Sequence, residues 1–272
     1  MKTISILALL IFLASCTSSR IDRKINDSSW DTLADETYLR WGESRLSSAG
    51  KDHKVIGCYK GETKEVLNQY KKDYLTKEKT QYYWLHIGNC YFVKEAWSKA
   101  EFFYQMALEE TKSEVEKSIA LNNLGLIHFK YEQWEKGREL LKQSMAIAPK
   151  FKVPRFNLSQ LYLQFGFYDK AIETLNDPLF KSGHDIDVFF SLANAHFFKG
   201  DIATAEKYFK EIPSDYFKRE DIAATYALYL IKKGDVKGAK AIMDDRSRSG
   251  VPEIVAISGK IEKMITEKMK QE

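Results

Sequence analysis

The residues of this chain that could do chemistry are few: five histidines (His53, His86, His128, His184 and His196), three cysteines (Cys16, Cys58 and Cys90) and adjacent acids such as Glu109-Glu110. A metal site needs His, Cys or carboxylates at short ligand spacings, and the five histidines have none. A phosphate cradle needs a glycine-rich loop opening a helix, and a serine hydrolase needs its nucleophile on a sharp glycine-flanked turn; neither pattern occurs. Glu109 and Glu110 fall at a helix end and read as solvated surface acids. The sequence therefore assigns no catalytic residue, no metal, no cofactor and no small-molecule substrate, and reads as a non-enzyme.

Cys16 has a setting of its own. Lys2 is followed by the apolar run ISILALLIFLA and then by Leu13-Ala14-Ser15-Cys16. The run is too short to span a bilayer comfortably and has the layout of a secretory signal. A buried N-terminal helix would not need small residues and a cysteine placed just after the run. The Leu-Ala-Ser-Cys pattern resembles the lipobox of bacterial lipoproteins. That resemblance implies cleavage before Cys16, lipidation of Cys16 with palmitate-type chains, and attachment of the protein to a membrane. Thr17, where an Asp is absent, resembles the outer-membrane default, with the body of the protein facing the periplasm. Residues 1–15 are then a signal peptide, and residues 16–29 a lipidated terminus and polar tether. Export leaves Cys58 and Cys90 as an even pair in an oxidising compartment. Two readings stay open for them, a disulfide or two small buried apolar side chains.

The elements that carry these residues come from the rest of the composition. An apolar content of 44% with 13% aromatic residues places the bulk of the chain outside the disordered class. The 42 basic and 38 acidic residues are interspersed, which makes a solvated mixed surface and no nucleic-acid-binding stripe.

The strongest pattern is internal. Aligning NNLGLIHFKYEQWEKGRELL, FNLSQLYLQFGFYDKAIETL, FSLANAHFFKGDIATAEKYF and TYALYLIKKGDVKGAKAIM puts Gly125, Ser159, Ala193 and Ala227 in one column, 34 residues apart. Gly137, Ala171, Ala205 and Ala239 form a second small column twelve residues on. Gly166, Gly200 and Gly234 share a register between them, where a left-handed residue ends a helix. Upstream, Gly88 and Ala100 repeat the twelve-residue spacing, offset by three extra residues around ETKSE. Small residues at fixed places let two helices approach, and bulky ones such as Trp84, Tyr91, Trp97 and Tyr104 fill the gaps. One such hairpin cannot bury both faces, so copies stack.

Residues 84–107, with Trp84, Ile87, Gly88, Tyr91, Ala100, Tyr104 and Ala107, resemble the tetratricopeptide repeat (TPR), W-x2-L-G-x2-Y followed by Ala, Tyr or Phe, and Ala; Pro149 closes the second copy where the family places a proline. The resemblance implies an all-α fold, an α-solenoid (right-handed superhelix) of about five TPR hairpins over residues 81–249. Residues 30–80 read as a degenerate helical segment, and residues 250–272 as a capping helix striped by Ile254, Ile257, Ile261, Met264, Ile265 and Met269. It also implies an inner face lined by the first helix of each copy, which takes an extended segment of a partner protein. Carried onto this chain, that groove comprises Asn122, Leu126, Phe129, Phe156, Gln160, Phe190, Asn194 and Phe197, flanked by Tyr82, Asn89, Phe92, Leu163 and Phe198. Rings would supply area and amides would pair with a peptide backbone, with Lys130 and Lys232 as the basic residues for a carboxylate. On this reading Phe156→Ala and Phe190→Ala weaken partner binding without unfolding the chain. A second reading covers part of this face with the chain's own N-terminal segment. His128 and His196 take the column usually held by Tyr, and so belong to hairpin packing.

Pro178 in ETLNDPLF must stop a helix near Asn176. The Asp177-Pro178-Leu179-Phe180 break, followed by Asn194-Ala195, Gly200-Asp201 and Ala205-Glu206 with Tyr208-Phe209, resembles the TPR lipoproteins of type IV pilus biogenesis, the pilotins. Residues 30–80 and a cysteine usual in that family depart from the pattern. The resemblance implies a partner in the pilus secretin and a role in its assembly or localisation. The alternatives are an adaptor for another envelope complex, such as outer-membrane protein assembly or peptidoglycan synthesis, and a targeting module attached to an enzyme.

Overall fold

The computed structural model describes residues 55, 57, 58, 61–75, 80–180, 185–248 and 252–271. Among these the chain is all-α, with twelve α-helices and no strand. The lipobox, the tether, Cys16, His53, His184 and residues 30–54 of the expected segment 30–80 lie outside the described residues.

Helices pair through one recurring turn. In the copy formed by α8 (Ile186–Lys199) and α9 (Ile202–Lys210), the Gly200 N–H donates to the Phe197 carbonyl at 3.0 Å and the Asp201 N–H to the His196 carbonyl at 2.9 Å. These are the two bonds of a Schellman motif, which satisfies carbonyls left open at a helix end. The same pair recurs after α2 (Thr80–Val93), α4 (Glu114–Lys130), α6 (Val153–Gln164) and α10 (Glu220–Lys233). It also appears ahead of α1 (Thr63–Tyr74), where Gly61 and Glu62 donate to Cys58 and Gly57. The pivot residue is left-handed in all six: Gly61 at φ +97°, Glu95 at +59°, Glu132 at +58°, Gly166 at +74°, Gly200 at +98° and Gly234 at +87°. The glycine register read from the sequence therefore extends to two glutamates and to one copy further upstream.

The partner helices that follow these turns are α3 (Trp97–Glu110), α5 (Trp134–Ile147), α7 (Tyr168–Leu175), α9 and α11 (Val236–Asp245). Asp201 and Asp235 cap α9 and α11, accepting from the N–H of Thr204 at 3.1 Å and Gly238 at 2.8 Å. The small columns mark the helix crossings. A Cβ on Gly88 would lie 2.5 Å from the Tyr104 ring, and one on Gly137 would lie 2.2 Å from the Phe129 ring and 2.8 Å from the Gly125 carbonyl oxygen. Ala100, Ala171, Ala193, Ala205, Ala227 and Ala239 are all fully buried.

The chain divides into two compact units at Leu158/Ser159. In the first, Leu85, Ala100, Tyr104, Ile119, Ala120, Leu124 and Ile127 form the main core. A hydroxyl pair adds to it: Ser118 and Ser144, both buried, exchange hydrogen bonds between α4 and α5. A smaller cluster of Val55, Cys58, Val66, Tyr70, Cys90 and Val93 joins α1 to α2. Within it Cys58 and Cys90 form a disulfide, with Cα atoms 5.4 Å apart, so of the two readings open for these cysteines the structure carries the bonded one.

In the second unit α7 is only eight residues long. It stops at Leu175 with Asn176 as its cap, and Pro178–Phe180 continue as a 3-10 turn in which Asp177 Oδ1 accepts from the Leu179 N–H at 2.9 Å. This is the break that Pro178 predicts. Phe190, Ala193, Ala205, Phe209, Ile222 and Tyr229 fill one cluster. Ala227, Val236, Ala239 and Met243 pack with Ile254, Ile257, Ile261 and Ile265 of the last helix, α12 (Pro252–Met269). That helix lays the expected isoleucine stripe over the last hairpin. Met269, at the end of the stripe, is exposed.

Candidate functional site

The first helices of the copies carry a polar register three residues, one helical turn, ahead of the expected groove residues Asn89, Leu126, Gln160 and Asn194, with Asn122 one residue before it. His86, Asn123, Asn157, Ser191 and Thr225 occupy it, the last four at 34-residue intervals. In the first unit these residues pair with the groove amides of neighbouring helices. Asn89 Oδ1 accepts from Tyr104 Oη at 2.8 Å and from Asn123 Nδ2 at 3.1 Å. Asn122 Nδ2 donates to Asn123 Oδ1 at 3.0 Å, and Asn157 Nδ2 to Asn122 Oδ1 at 2.8 Å. The second unit holds an equivalent step, Gln160 Nε2 to Ser191 Oγ at 2.8 Å.

Asn122 and Gln160 are therefore buried in a ladder between successive first helices, and spend hydrogen bonds on the protein itself that the sequence reading gave to a peptide. A buried amide must pair with something, and the nearest polar groups here belong to the next copy. Asn194 breaks the pattern. Its register partner Thr225 donates to the Asp221 carbonyl within its own helix, and Asn194 Oδ1 has no hydrogen-bond partner among the described residues.

The rings separate in the same way. Phe190 is 3% exposed and Phe156 7%, so both are interior side chains where solvent-facing groove rings were expected. Phe129 is half-buried, and its ring covers Gly137 in its own hairpin, stacked on Trp134 with centroids 6.1 Å apart. Leu126 is half-buried against the main core of the first unit. Phe197 is half-buried, edge-on to Phe198 at 5.0 Å and to Tyr229 at 6.3 Å. Tyr82 and Phe198 are also half-buried, while Phe92 and Leu163 are interior. Lys130 lies over the Trp97 ring at 6.0 Å, and Lys232 is exposed.

The histidines take structural posts. His128 Nδ1 lies 2.8 Å from Gln133 Oε1 and Nε2 3.7 Å from Glu101. Burial, aided by the Lys136 charge, holds its pKa below the ordinary value against the opposing pull of Glu101 and Gln133. His196 pairs with Asp201 at 3.1 Å and stacks on Tyr208, and the buried His86 faces Tyr74 Oη at 3.0 Å. Among the described residues no cluster of three or more His, Cys, Asp or Glu could hold a metal ion.

A buried ionic group in the second unit has no counterpart in the motif reading. Arg219 pairs with Asp187 at 3.0 Å and Asp221 at 2.7 Å, and Arg246 with Glu220 at 3.1 Å and Glu262 at 2.7 Å. Asp187 and Asp221 stand in the first turns of α8 and α10, where a carboxylate also suits the helix dipole. The sequence signal was available: both acids occupy the same place in copies 34 residues apart.

No protein-family model matches the chain, and no curated protein sequence does. Solved structures do. A tetratricopeptide repeat protein from Parabacteroides merdae superposes with a TM-score of 0.53 and 16% identity, over 85% of this chain and 93% of that one. The C-terminal part of a TPR repeat-containing protein from Cytophaga hutchinsonii gives 0.51 and 14%, over 76% and 78%. The APC/C hetero-tetramer Cut9–Hcn1 gives 0.61 and 13% over 93% of this chain, which spans about half (52%) of the matched chain. At these identities the likeness is one of fold. With the recurring turns and small-residue crossings, it shows a TPR-like fold of the α-solenoid class.

Proposed function

We propose that the chain is a lipid-anchored protein-interaction scaffold of the bacterial envelope, held in the outer membrane through Cys16 with its repeats in the periplasm, and that it acts as a pilotin-like factor for a type IV pilus secretin. The observation that carries this reading is Leu13-Ala14-Ser15-Cys16 directly after a short apolar run, upstream of the repeat array of residues 81–249. The Cys58–Cys90 disulfide supports it, because such bonds persist in oxidising compartments. Repeat arrays present extended surfaces for partner chains. With Asn122, Gln160, Asn194, Phe156 and Phe190 buried, the groove side chains that keep some exposure are Tyr82, Leu126, Phe129 and Lys130 in the first unit and Phe197, Phe198 and Lys232 in the second. The pilus assignment is supported by the Asp177-Pro178-Leu179-Phe180 break and its position ahead of the Asn194 copy.

Cys16→Ala tests the anchor: the variant should leave the membrane fraction and lose the lipid mass from its N-terminus, and unchanged fractionation would remove the envelope reading. For the pilus role, the wild-type protein should co-purify with a secretin from detergent extracts, and secretin multimers should fall in a deletion strain. Stable multimers in that strain would reject the role, and recovery with a different envelope complex would make the chain an adaptor for that complex.

A further inference from the structure

The N-terminal end of the described array is held differently from the rest of it. α1 is twelve residues long and carries Lys64, Glu65, Lys71, Lys72 and Asp73, so it is too short and too charged to persist as a helix by itself. Its seat on α2 is a cluster of six buried residues, two of which are Cys58 and Cys90 themselves. Around it lie ring and polar contacts at its edge: Tyr74 stacks on His86 with centroids 4.9 Å apart and its Oη lies 3.0 Å from His86 Nε2, Tyr70 faces the same imidazole at 5.0 Å, and Lys94 Nζ makes an exposed bond to Thr63 Oγ1 at 2.8 Å. Hairpins α2/α3 and α4/α5, by contrast, share a larger core that contains no cysteine.

We infer that the Cys58–Cys90 disulfide is an oxidation-dependent end clasp: the turn at Gly61 and α1 join the array only once the two thiols are oxidised, and in reducing surroundings the array begins at α2. Both cysteines are 0% exposed, so no thiolate can reach the finished bond without local opening. Oxidation must accordingly precede or accompany closure of the cluster. In that step one S–S bond forms, and two protons and two electrons leave the thiols. The acceptor is a protein disulfide, reduced to a dithiol through a mixed disulfide. The chain is thus a substrate for dithiol–disulfide exchange during its own maturation. This holds whether or not Cys16 is lipidated or a secretin is the partner.

The test is hydrogen exchange on the full-length protein in three forms: wild type purified without reductant, wild type unfolded, reduced and refolded in reductant, and Cys58→Ala/Cys90→Ala. The reduced wild type separates loss of the cross-link from loss of the two side chains. Denaturing alkylation of the first form should label neither Cys58 nor Cys90 unless reductant is added. Amides of Val66–Tyr74 should then exchange roughly 10- to 100-fold faster in the other two forms, while those of α4, α5 and α8–α11 keep their protection. Free Cys58 and Cys90 thiols in the first form, equal protection of α1 in all three, or a loss spread evenly across α4–α11 would each overturn the inference.

Discussion

Asn123 donates its side-chain amide to Asn89 Oδ1 at 3.1 Å, and by doing so ties the first helices of two successive copies together through buried polar atoms. Asn89 also receives the Tyr104 hydroxyl, and Asn123 in turn receives Asn122. Each bond is modest in net terms, but every group in the chain is withdrawn from water, so removing one partner leaves another stranded. Such a ladder selects the neighbour and register of each copy in a way that apolar contacts alone would not.

Asn123→Leu should accordingly destabilise the folded chain by about 1–3 kcal/mol, because the bonds of Asn123 to Asn89 Oδ1 and from Asn122 Nδ2 are both lost in a dry site. The measurement is the urea midpoint compared with that of Asn123→Ser, which keeps a hydroxyl acceptor and should recover part of the loss. Equal midpoints for Asn123→Leu and wild type would mean that the ladder contributes nothing.

The two glutamates at left-handed turn positions give a prediction of opposite sign. Glu95 and Glu132 hold φ near +58° at the posts that Gly166, Gly200 and Gly234 fill in later copies. A non-glycine residue there carries a steric cost of about 1 kcal/mol. Glu132→Gly should therefore raise the thermal midpoint, and Gly200→Ala should lower it by a similar free energy. A fall in the midpoint on Glu132→Gly would show that the glutamate side chain contributes more than its backbone strain costs.

How much of this was legible in the sequence follows from which interactions repeat. The small columns, the turn glycines and the Pro178 break all follow from local sterics, so spacing alone placed them. The turn at Glu132 was hidden because a glutamate gives no sign that its neighbours force it into a left-handed conformation. The buried groove residues Asn122, Phe156, Gln160, Phe190 and Asn194 escaped the register for a related reason. A repeat register says which helix face Asn122, Gln160 or Phe190 occupies, but not whether the next copy already lies against that face. Asn123, Asn157 and Ser191 stand in a visible 34-residue register, and pairing that column with the amides one turn away in neighbouring copies gives the Asn123–Asn89 and Gln160–Ser191 bonds, but not the Asn157–Asn122 one.

Phe190 makes the difference measurable. It is an interior ring in a cluster with Phe209, Ile222 and Tyr229. Phe190→Ala should therefore cost about 3–5 kcal/mol and broaden or lower the unfolding transition. Phe197, half-buried, is the residue whose truncation should weaken a partner more than it weakens the fold. A well-folded Phe190→Ala that only lost partner binding would return Phe190 to the groove.

Glu206 gives the clearest acid-sensitive contact. Hydrogen bonds from Lys233 and Lys210, each at 3.0 Å, with a third from the Tyr229 hydroxyl, pull its carboxyl pKa down from the ordinary 4.5 to about 2. A carboxylate with a depressed folded-state pKa contributes stability that is fully present above its unfolded value and is lost as pH falls towards the folded one. The difference in thermal midpoint between wild type and Glu206→Gln should thus be constant near neutrality and shrink progressively from about pH 4.5 to about pH 2. Carboxyl carbon shifts should give Glu206 a midpoint of about 2, moving up in Lys233→Ala because the first of the three donors is gone. A wild-type midpoint at the ordinary value would mean that solvent screens these lysines and that the contact between α9 and α10 does not depend on their charge.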